Sequence, residues 1–543
     1  LSNALPVPRE RDEGARNQGF AKTLVSEGRS DVDRTIIAWD LGTSGNKAAL
    51  YDVDGHCLAV SFVPYETRYP APGWHEQRPL DWWNAVVEST RRLLARAEID
   101  RSQIGCCGIS GHSLGVVPLD REGRLLREST PIWSDARAVG QVKHFFEQVG
   151  EGEWYRTTGN GFPPPLYAIF KIMWYRDNEP GMFRRIHKVI GTKDFVNYKL
   201  TGRIVTDPSY ASGCGAYDLF KWDYSDALLA ASGLEREILP DIVPSTEVIG
   251  ELDAQVAESL GLPSGLKVVA GGVDNACMAL GARNIAEGRV YNALGSSSWI
   301  AVSSERPVLD DDARPYVFAH VMPGMYTCAV SIFSAGTSFR WVRDQLCRNL
   351  VVQAEGQEAD AYDLMTALAA GSPVGANKLL FNPSLAGGTA LDGSPDIRGA
   401  YIGLDLGHTQ ADVIRAAMEG IAMGLRLALN RLRRLTQLSD EMVIVGGGSR
   451  SRLWRQICAD VYNLTIVKTD VDQHAAALGA AAVAAVGAGL WDDFAEIDQI
   501  HQVEDVVAPI PAHNAIYEKL LPIFARAARY QSELGEMLAR LEI

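Results

Sequence analysis

The sequence predicts an α/β fold built as two similar halves, and three observations carry that expectation. Strand-length apolar runs alternate with amphipathic stretches of helical length, the pattern of a sheet covered by helices. One passage occurs twice: an apolar strand, Leu-Gly-[Thr/Ser]-Ser and a second strand, first around residues 35–50 and again around 289–304. The chain is also long enough, since 543 residues with 47% apolar and 22% charged side chains admit three or four average domains or two large ones.

Taken in order, residues 1–34 mix both charges around no apolar stretch and read as a flexible tail. TIIAWDLG, NKAALYDV and HCLAVSFV follow as three strands joined at Thr43-Ser44-Gly45 and Asp54-Gly55, a β-meander. Apolar residues at 82, 83, 86, 87, 90, 93 and 94 make residues 80–97 an amphipathic helix, and IGCCGIS is the next strand. KVVAGG, residues 267–272, reads as a strand leading through Val273-Asp274 into a helix. The Gly-containing stretch 281–288 marks a join, which divides the chain into domains 35–284 and 285–543. RVYNALG and WIAVSSE form the second strand pair, residues 412–434 a helix, and EMVIV a strand entering Gly446-Gly447-Gly448-Ser449, with Ser451 of N-cap type for the next helix. Residues 474–490 are mostly Ala and Gly and read as a packed helix, not a membrane span.

A net charge of -15 without a Lys/Arg run argues against a nucleic-acid partner, since phosphate contacts need clustered positive charge. No membrane partner is expected either. The eight cysteines are scattered with no Cys-x-x-Cys, which predicts reduced, mostly buried thiols and a cytoplasmic location.

Gly111-His112-Ser113-Leu114-Gly115 matches the Gly-x-Ser-x-Gly elbow of hydrolases, but the elbow must turn from strand into helix. VVPLDREGRLL follows instead, a strand and a turn, so the match is a Gly-rich turn between strands. No P-loop, zincin or metal-cage spacing is present. Three Gly/Ser/Thr turns at strand ends remain: 42–45, 295–298 and 446–449. Such turns offer backbone N–H groups and hydroxyls to a polyphosphate. Asp40 ends the first strand, where a carboxylate near phosphate needs a divalent cation or water between them, and Lys47 supplies balancing charge. Asp274 stands at a strand–helix junction, where it either caps the helix or acts as general base toward a hydroxyl.

These residues resemble the FGGY family of carbohydrate kinases, in the actin-like ATPase superfamily that includes xylulokinase and glycerol kinase, over about residues 35–540. The most specific match is GAYIGLDLGHTQADVIRAAMEG, where Gly399, Tyr401, Gly403, Leu404, Asp412, Val413, Ala416, Ala417, Met418 and Glu419 keep the spacing of the family's C-terminal signature. A second signature agrees at Lys171, Ile172, Trp174, Asp177 and Asn178 and departs at Leu166 and Tyr175. The resemblance implies two actin-like, ribonuclease H-like domains with a cleft between them, and ATP with Mg2+ as cofactors. It places Asp40, with Asp274, toward the metal, and Gly42, Thr43, Ser44 and Lys47 near the phosphates. Gly295 and Ser296 fall on the second phosphate turn, Gly336 and Arg340 on the next nucleotide segment, and Gly447, Gly448, Ser449 and Arg452 on the adenosine segment. Asp274 falls on the catalytic base. Trp133, Asp135, His112, Ser113 and Asn275 fall near the sugar, and a homodimer is admitted.

One departure bears on substrate. Xylulokinases read Gly-Gln-Met-His-Gly where this chain has Gly111-His112-Ser113-Leu114-Gly115, so Leu114 replaces the sugar-contacting His; glycerol kinases place Arg-Glu at Ser113 and Leu114. The expectation is an ATP-dependent kinase for a pentulose such as D-xylulose. The alternatives are a kinase for another sugar or polyol, such as ribulose, an erythritol-type polyol or glycerol, and a non-catalytic actin-like nucleotide-binding module.

Overall fold

Continuous burial along Thr35–Leu41 (β1) makes it a central strand, with Asp40 the one residue of the seven not fully buried. The computed structural model describes residues 34–97, 99–332, 334–389 and 392–541; the expected tail lies outside the described residues except for Arg34. β1 pairs antiparallel with Gly45–Asp52 (β2), and β2 with Cys57–Pro64 (β3), so the meander forms as the turn residues predict. Pro79–Arg96 (α1) starts on Pro79, whose missing N–H would be unpaired there anyway, and buries Trp82, Val86 and Leu93. Ile104–Gly111 (β4) returns parallel to β1. Val248–Glu251 (β5) and Lys267–Val269 (β6) complete a sheet of order β5-β6-β4-β1-β2-β3.

The strand expected over 267–272 is interrupted. Val268 pairs with Cys107 and Gly272 with Ser110, so one strand spends four residues where its partner spends three. Gly271, at φ +70°, absorbs the extra residue, and a Cβ there would lie 2.0 Å from the Ile109 carbonyl oxygen. After this bulge the two-residue strand Gly272–Val273 (β7) rejoins β4 and leads into Asp274–Gly281 (α2).

The second half repeats the plan. Val290–Leu294 (β8), Ser298–Ser304 (β9), Tyr316–Ala319 (β10) and Tyr326–Ile332 (β11) precede the helices Gly336–Trp341 (α3) and Gln410–Leu435 (α4). Glu441–Val445 (β12), Arg452–Tyr462 (α5), Thr465–Thr469 (β13), Ala475–Ala488 (α6), Val503–Val507 (β14) and Pro511–Ala539 (α7) follow. The sheet order is β10-β11-β9-β8-β12-β13-β14. Run β3-β2-β1-β4-β6 in the first sheet and β11-β9-β8-β12-β13 in the second: each has two antiparallel pairs followed by two parallel ones.

The halves are joined by α6, which belongs to the second in sequence but packs on β1, β4 and α2 of the first. Its Ala and Gly residues are buried from Ala475 to Ala485, and among the described residues no helix is long and apolar enough to cross a membrane. A Cβ on Gly479 would lie 1.8 Å from the Cys277 carbonyl oxygen, and one on Gly281 would lie 1.8 Å from that of Ala475. The two backbones touch because both helices carry glycine at the crossing. Gly479→Ala is therefore expected to cost about 1–3 kcal/mol in urea unfolding, as overpacked sites do. Gly356→Ala, where a Cβ meets nothing within 4 Å, should be neutral or stabilising by up to ~1 kcal/mol. Equal stability of the two variants contradicts this account of the joint.

Candidate active site

Strand register brings the two expected carboxylates together. Asp40 on β1 and Gly272 on β7 both pair with Ser110 on β4, and the Ser110 hydroxyl donates to Asp40 Oδ1 at 3.3 Å. Two residues beyond Gly272, Asp274 opens α2 at the same edge of the sheet. Val273, not Asp274, occupies the N-cap, and the Asp274 carboxylate accepts the Asn275 N–H at 2.8 Å. That differs from a capping aspartate, whose acceptor reaches the N–H two or three residues on. Burial, and then the charge of Asp40, push the Asp274 carboxyl up to about 7.

The backbone behind Asp274 hangs on a buried ionic network. The Val273 N–H donates to Ser209 Oγ at 2.9 Å, and the hydroxyls of Ser209 and Ser245 both donate to Asp207. Lys193, fully buried, pairs with Asp207 at 3.0 Å and Asp194 at 2.7 Å. Lys193 and Asn197 also donate to the Ala270 carbonyl, on the other side of the bulge. Sequence reasoning missed these groups, because nothing local marks residues that meet across 14 to 77 positions of chain.

The three Gly/Ser/Thr turns converge near this pair. In the first, Tyr65 donates to the Gly42 carbonyl, Gln77 to the Thr43 carbonyl at 2.7 Å, and the Trp133 indole to Thr43 Oγ1 at 2.9 Å, leaving Thr43 and Ser44 exposed at the tip. Lys47 lies 3.8 Å from Asp40 and donates to the Gln473 carbonyl at 2.7 Å. The neighbouring Asp472 carbonyl accepts the Gly446 N–H of the third turn at 3.2 Å. Gly446, at φ +92°, sits against Leu294, next to Gly295 of the second turn, where a Cβ would lie 2.8 Å from the Leu294 oxygen. Gly336 docks in turn on Gly295, its N–H donating to that carbonyl at 2.9 Å, and the Thr337 N–H donates to that of Ser296 at 2.9 Å. Around Gly447 the space is open to 4 Å, whereas Gly448 is packed on Leu294. Ser449 is buried, Arg340 and Arg452 are exposed, and Ser451 caps α5 by accepting the Trp454 N–H.

The residues expected near the sugar divide into two groups. Trp133, half-buried, borders the first turn at Thr43, and half-buried Asn275 follows Asp274 at the start of α2. His112 and Asp135 lie inside the protein. His112 is 1% exposed, edge-on to Trp82 at 5.6 Å, and burial holds its imidazole down at about 3, so it is neutral. Asp135 is fully buried and grips Arg137 with both oxygens at 2.8 Å while accepting the His75 N–H at 2.6 Å. Ser113 is buried in a bend that leads to the strand Val117–Leu119, without the helix a nucleophile elbow needs. Leu114 is held at φ +62° with its carbonyl accepting from buried Lys171 at 3.0 Å; the same ammonium reaches the Ile132 carbonyl at 2.6 Å and so ties the loop of Ser113 to that of Trp133.

Among the described residues no three His, Cys, Asp or Glu side chains form a metal cage. Two neighbouring carboxylates, one of them raised to about 7 by burial and by the other's charge, suit a hard cation that takes its other oxygens from water and phosphate.

Known proteins bear on this geometry. The FGGY family of carbohydrate kinases matches through its N-terminal domain at residues 35–281 and its C-terminal domain at 290–488. The xylulose kinase of Staphylococcus xylosus is 30% identical over 90% of this chain and 98% of its own length. The ligand-bound crystal structure of xylulose kinase from Lactobacillus acidophilus superposes with a TM-score of 0.82 at 27% identity, over 91% of this chain and 97% of that one. The gluconate kinase of Lactobacillus acidophilus does so with the same TM-score and 27% identity, over 92% of this chain and 98% of that one. With the sheet repeat, the meeting of the three turns and both family domains in agreement, the chain belongs to the FGGY family of carbohydrate kinases and has its actin-like fold: it is a sugar kinase.

Proposed function

We propose that the protein transfers the γ-phosphoryl group of ATP to a hydroxyl of a pentulose, with D-xylulose the first candidate. The observation that carries the reading is Asp274, half-buried at the start of α2, its carboxyl raised to about 7 by burial and by Asp40 beside the first turn. Its carboxylate accepts the hydroxyl proton as the oxygen attacks, and a base with that acidity is matched to work at neutral pH. Backbone N–H groups of the 42–45 and 295–298 turns, with Lys47, receive the phosphate oxygens, and the stretches 336–340 and 447–452 border the nucleoside. Positioning and electrostatics supply most of the rate in such transfers. Mg2+, held through water by Asp40 and Asp274, would offset charge on the β- and γ-phosphates. Trp133 forms an apolar wall for the sugar; Leu114, Lys171 and Asp135 fix the loops that carry that wall.

A neutral ketose suits this pocket better than a sugar acid such as gluconate. The basic groups next to the sugar loops are engaged: Lys171, pushed down to about 7 by burial, by two carbonyls, and Arg137 by Asp135 and Glu76. The eight free cysteines, of which only Cys57 is exposed, support a reducing compartment, the cytoplasm.

Coupled ADP release with Mg-ATP is expected for D-xylulose and at most weakly for gluconate and glycerol. Asp274→Asn should lower kcat by about 10²- to 10⁴-fold, the usual effect of losing a general base. Unchanged turnover in that variant rules out the assignment, and silence across a panel of ketopentoses and polyols favours the binding-module alternative.

The pH dependence has a definite sign. Asp274 must be ionised to act, so kcat/KM should fall about tenfold per pH unit below about 7. Stability runs the other way. A carboxyl whose pKa rises on folding stabilises the fold while protonated, and that contribution is lost as pH climbs from about 4 through about 7. Asp274→Asn should therefore melt higher than wild type at pH 8 and close to it at pH 5; a lower melting temperature at pH 8 contradicts the raised carboxyl.

A further inference from the structure

The buried network behind Asp274 continues into the other half of the molecule. Asp207 caps the short helix Pro208–Ala211 by accepting the Ser209 N–H at 3.0 Å, and three side chains of this stretch reach three different places. Ser209 Oγ accepts the Val273 N–H, one residue before Asp274, at 2.9 Å. The Tyr210 hydroxyl accepts the N–H groups of Gly115 at 3.3 Å and Thr192 at 2.9 Å, and so holds the end of the 111–115 loop. The Ser212 hydroxyl accepts the Ala319 N–H at 3.1 Å and donates to the Ser209 carbonyl at 2.9 Å.

Ala319 belongs to β10, the edge strand of the second sheet. Two residues earlier on the same edge, the Val317 N–H donates to the Gly159 carbonyl at 2.9 Å. The row of N–H groups that an edge strand usually leaves to water is thus tied at two rungs to the first half. Just past β10, Val321 packs on β7: a Cβ on Gly272 would lie 2.3 Å from Val321 Cγ1 and 3.1 Å from Ser209 Oγ. Ser209 and Ser212 are fully buried, so neither is placed to touch sugar or nucleotide.

We propose that Ser209 and Ser212 are positioning residues of the phosphoryl transfer, acting as one hydrogen-bonded chain that runs from Ala319 through Ser212 and Ser209 to Val273. The chain holds the base in register with the half that carries the second and third turns. In-line transfer needs that register, because base and sugar loop belong to the first half, most of the nucleotide contacts belong to the second, and a displacement of about 1 Å can cost about 10²-fold in rate. The proposal rests on the assignment of Asp274 as the base. Ser245 is the internal control: its hydroxyl donates to the same Asp207 carboxylate at 2.8 Å but holds no N–H before Asp274.

The test is steady-state kinetics with Mg-ATP and D-xylulose, or whichever ketopentose or polyol of the panel is turned over, with circular dichroism and thermal unfolding checking the fold of each variant. Ser209→Ala should lower kcat by about 10- to 10²-fold with both KM values within about threefold of wild type, the split expected of a misplaced base. Ser212→Ala should lower kcat by roughly three- to thirtyfold with the same split, and the double variant should be at most about threefold worse than Ser209→Ala, since both cut one chain. Ser245→Ala should cost several-fold less in kcat than Ser209→Ala. Added to Asp274→Asn, Ser209→Ala should lower the residual turnover by less than about threefold, because the base it aims is already gone. Full turnover in Asp274→Asn rules out the base itself. Loss of turnover in Asp274→Asn beside wild-type turnover in Ser209→Ala overturns the positioning role alone. That role is overturned equally by a loss in Ser245→Ala that matches Ser209→Ala, which is general destabilisation, and by losses in Ser209→Ala and Ser212→Ala that multiply, which are not those of one chain.

Discussion

Two carboxylates forced together at the end of one sheet are the constraint on which the rest of the molecule turns. Asp40 and Gly272, two residues before Asp274, share Ser110 as the rung between their strands, and half-buried Asp274 stays beside Asp40 although desolvation and that neighbour both oppose its charge. Such an arrangement survives only where the backbone has no freedom to move apart. Gly271 sets the bulge that aims Asp274, and the Lys193–Asp207–Ser209 network holds the strand from behind. In the proposed mechanism the negative charge accumulated there would supply a base of suitable acidity and a place for a divalent cation.

The repeated sheet explains why the phosphate turns come together. Each half places a hairpin turn after its first central strand, at 42–45 and 295–298, and the third turn follows the parallel strand β12 beside the second. One short stretch, Asp472-Gln473, touches both the third turn and Lys47 of the first hairpin, so opening of the two halves would be felt at both. The α2–α6 crossing, with glycine on both helices, is the joint about which such opening would occur.

Much of this was legible in the sequence because it is local. The meander, the 80–97 helix, the Ser451 cap and the duplicated Leu-Gly-[Thr/Ser]-Ser passage depend on spacing and turn residues, and each forms where those place it. What was not legible is long-range. Gly271 reads as part of a strand until its φ and the approach of Ile109 are known, and Asp274 reads as a cap until Val273 takes that place. His112 and Asp135 have the residue types of ligands, but burial beside Trp82 and pairing with Arg137 turn them into framework, which no spacing in the sequence announces.

The central claim is that Asp274 is held near neutrality by burial and by Asp40. The most direct measurement is carbon-13 NMR titration of aspartate-labelled protein, with Asp274→Asn identifying the resonance and Asp40→Asn removing the neighbour's charge. The account predicts a carboxyl that titrates at about 7 in the wild type and at lower pH in Asp40→Asn, since the neighbouring negative charge is gone. An Asp274 carboxyl titrating near 4, or one indifferent to Asp40, would contradict it.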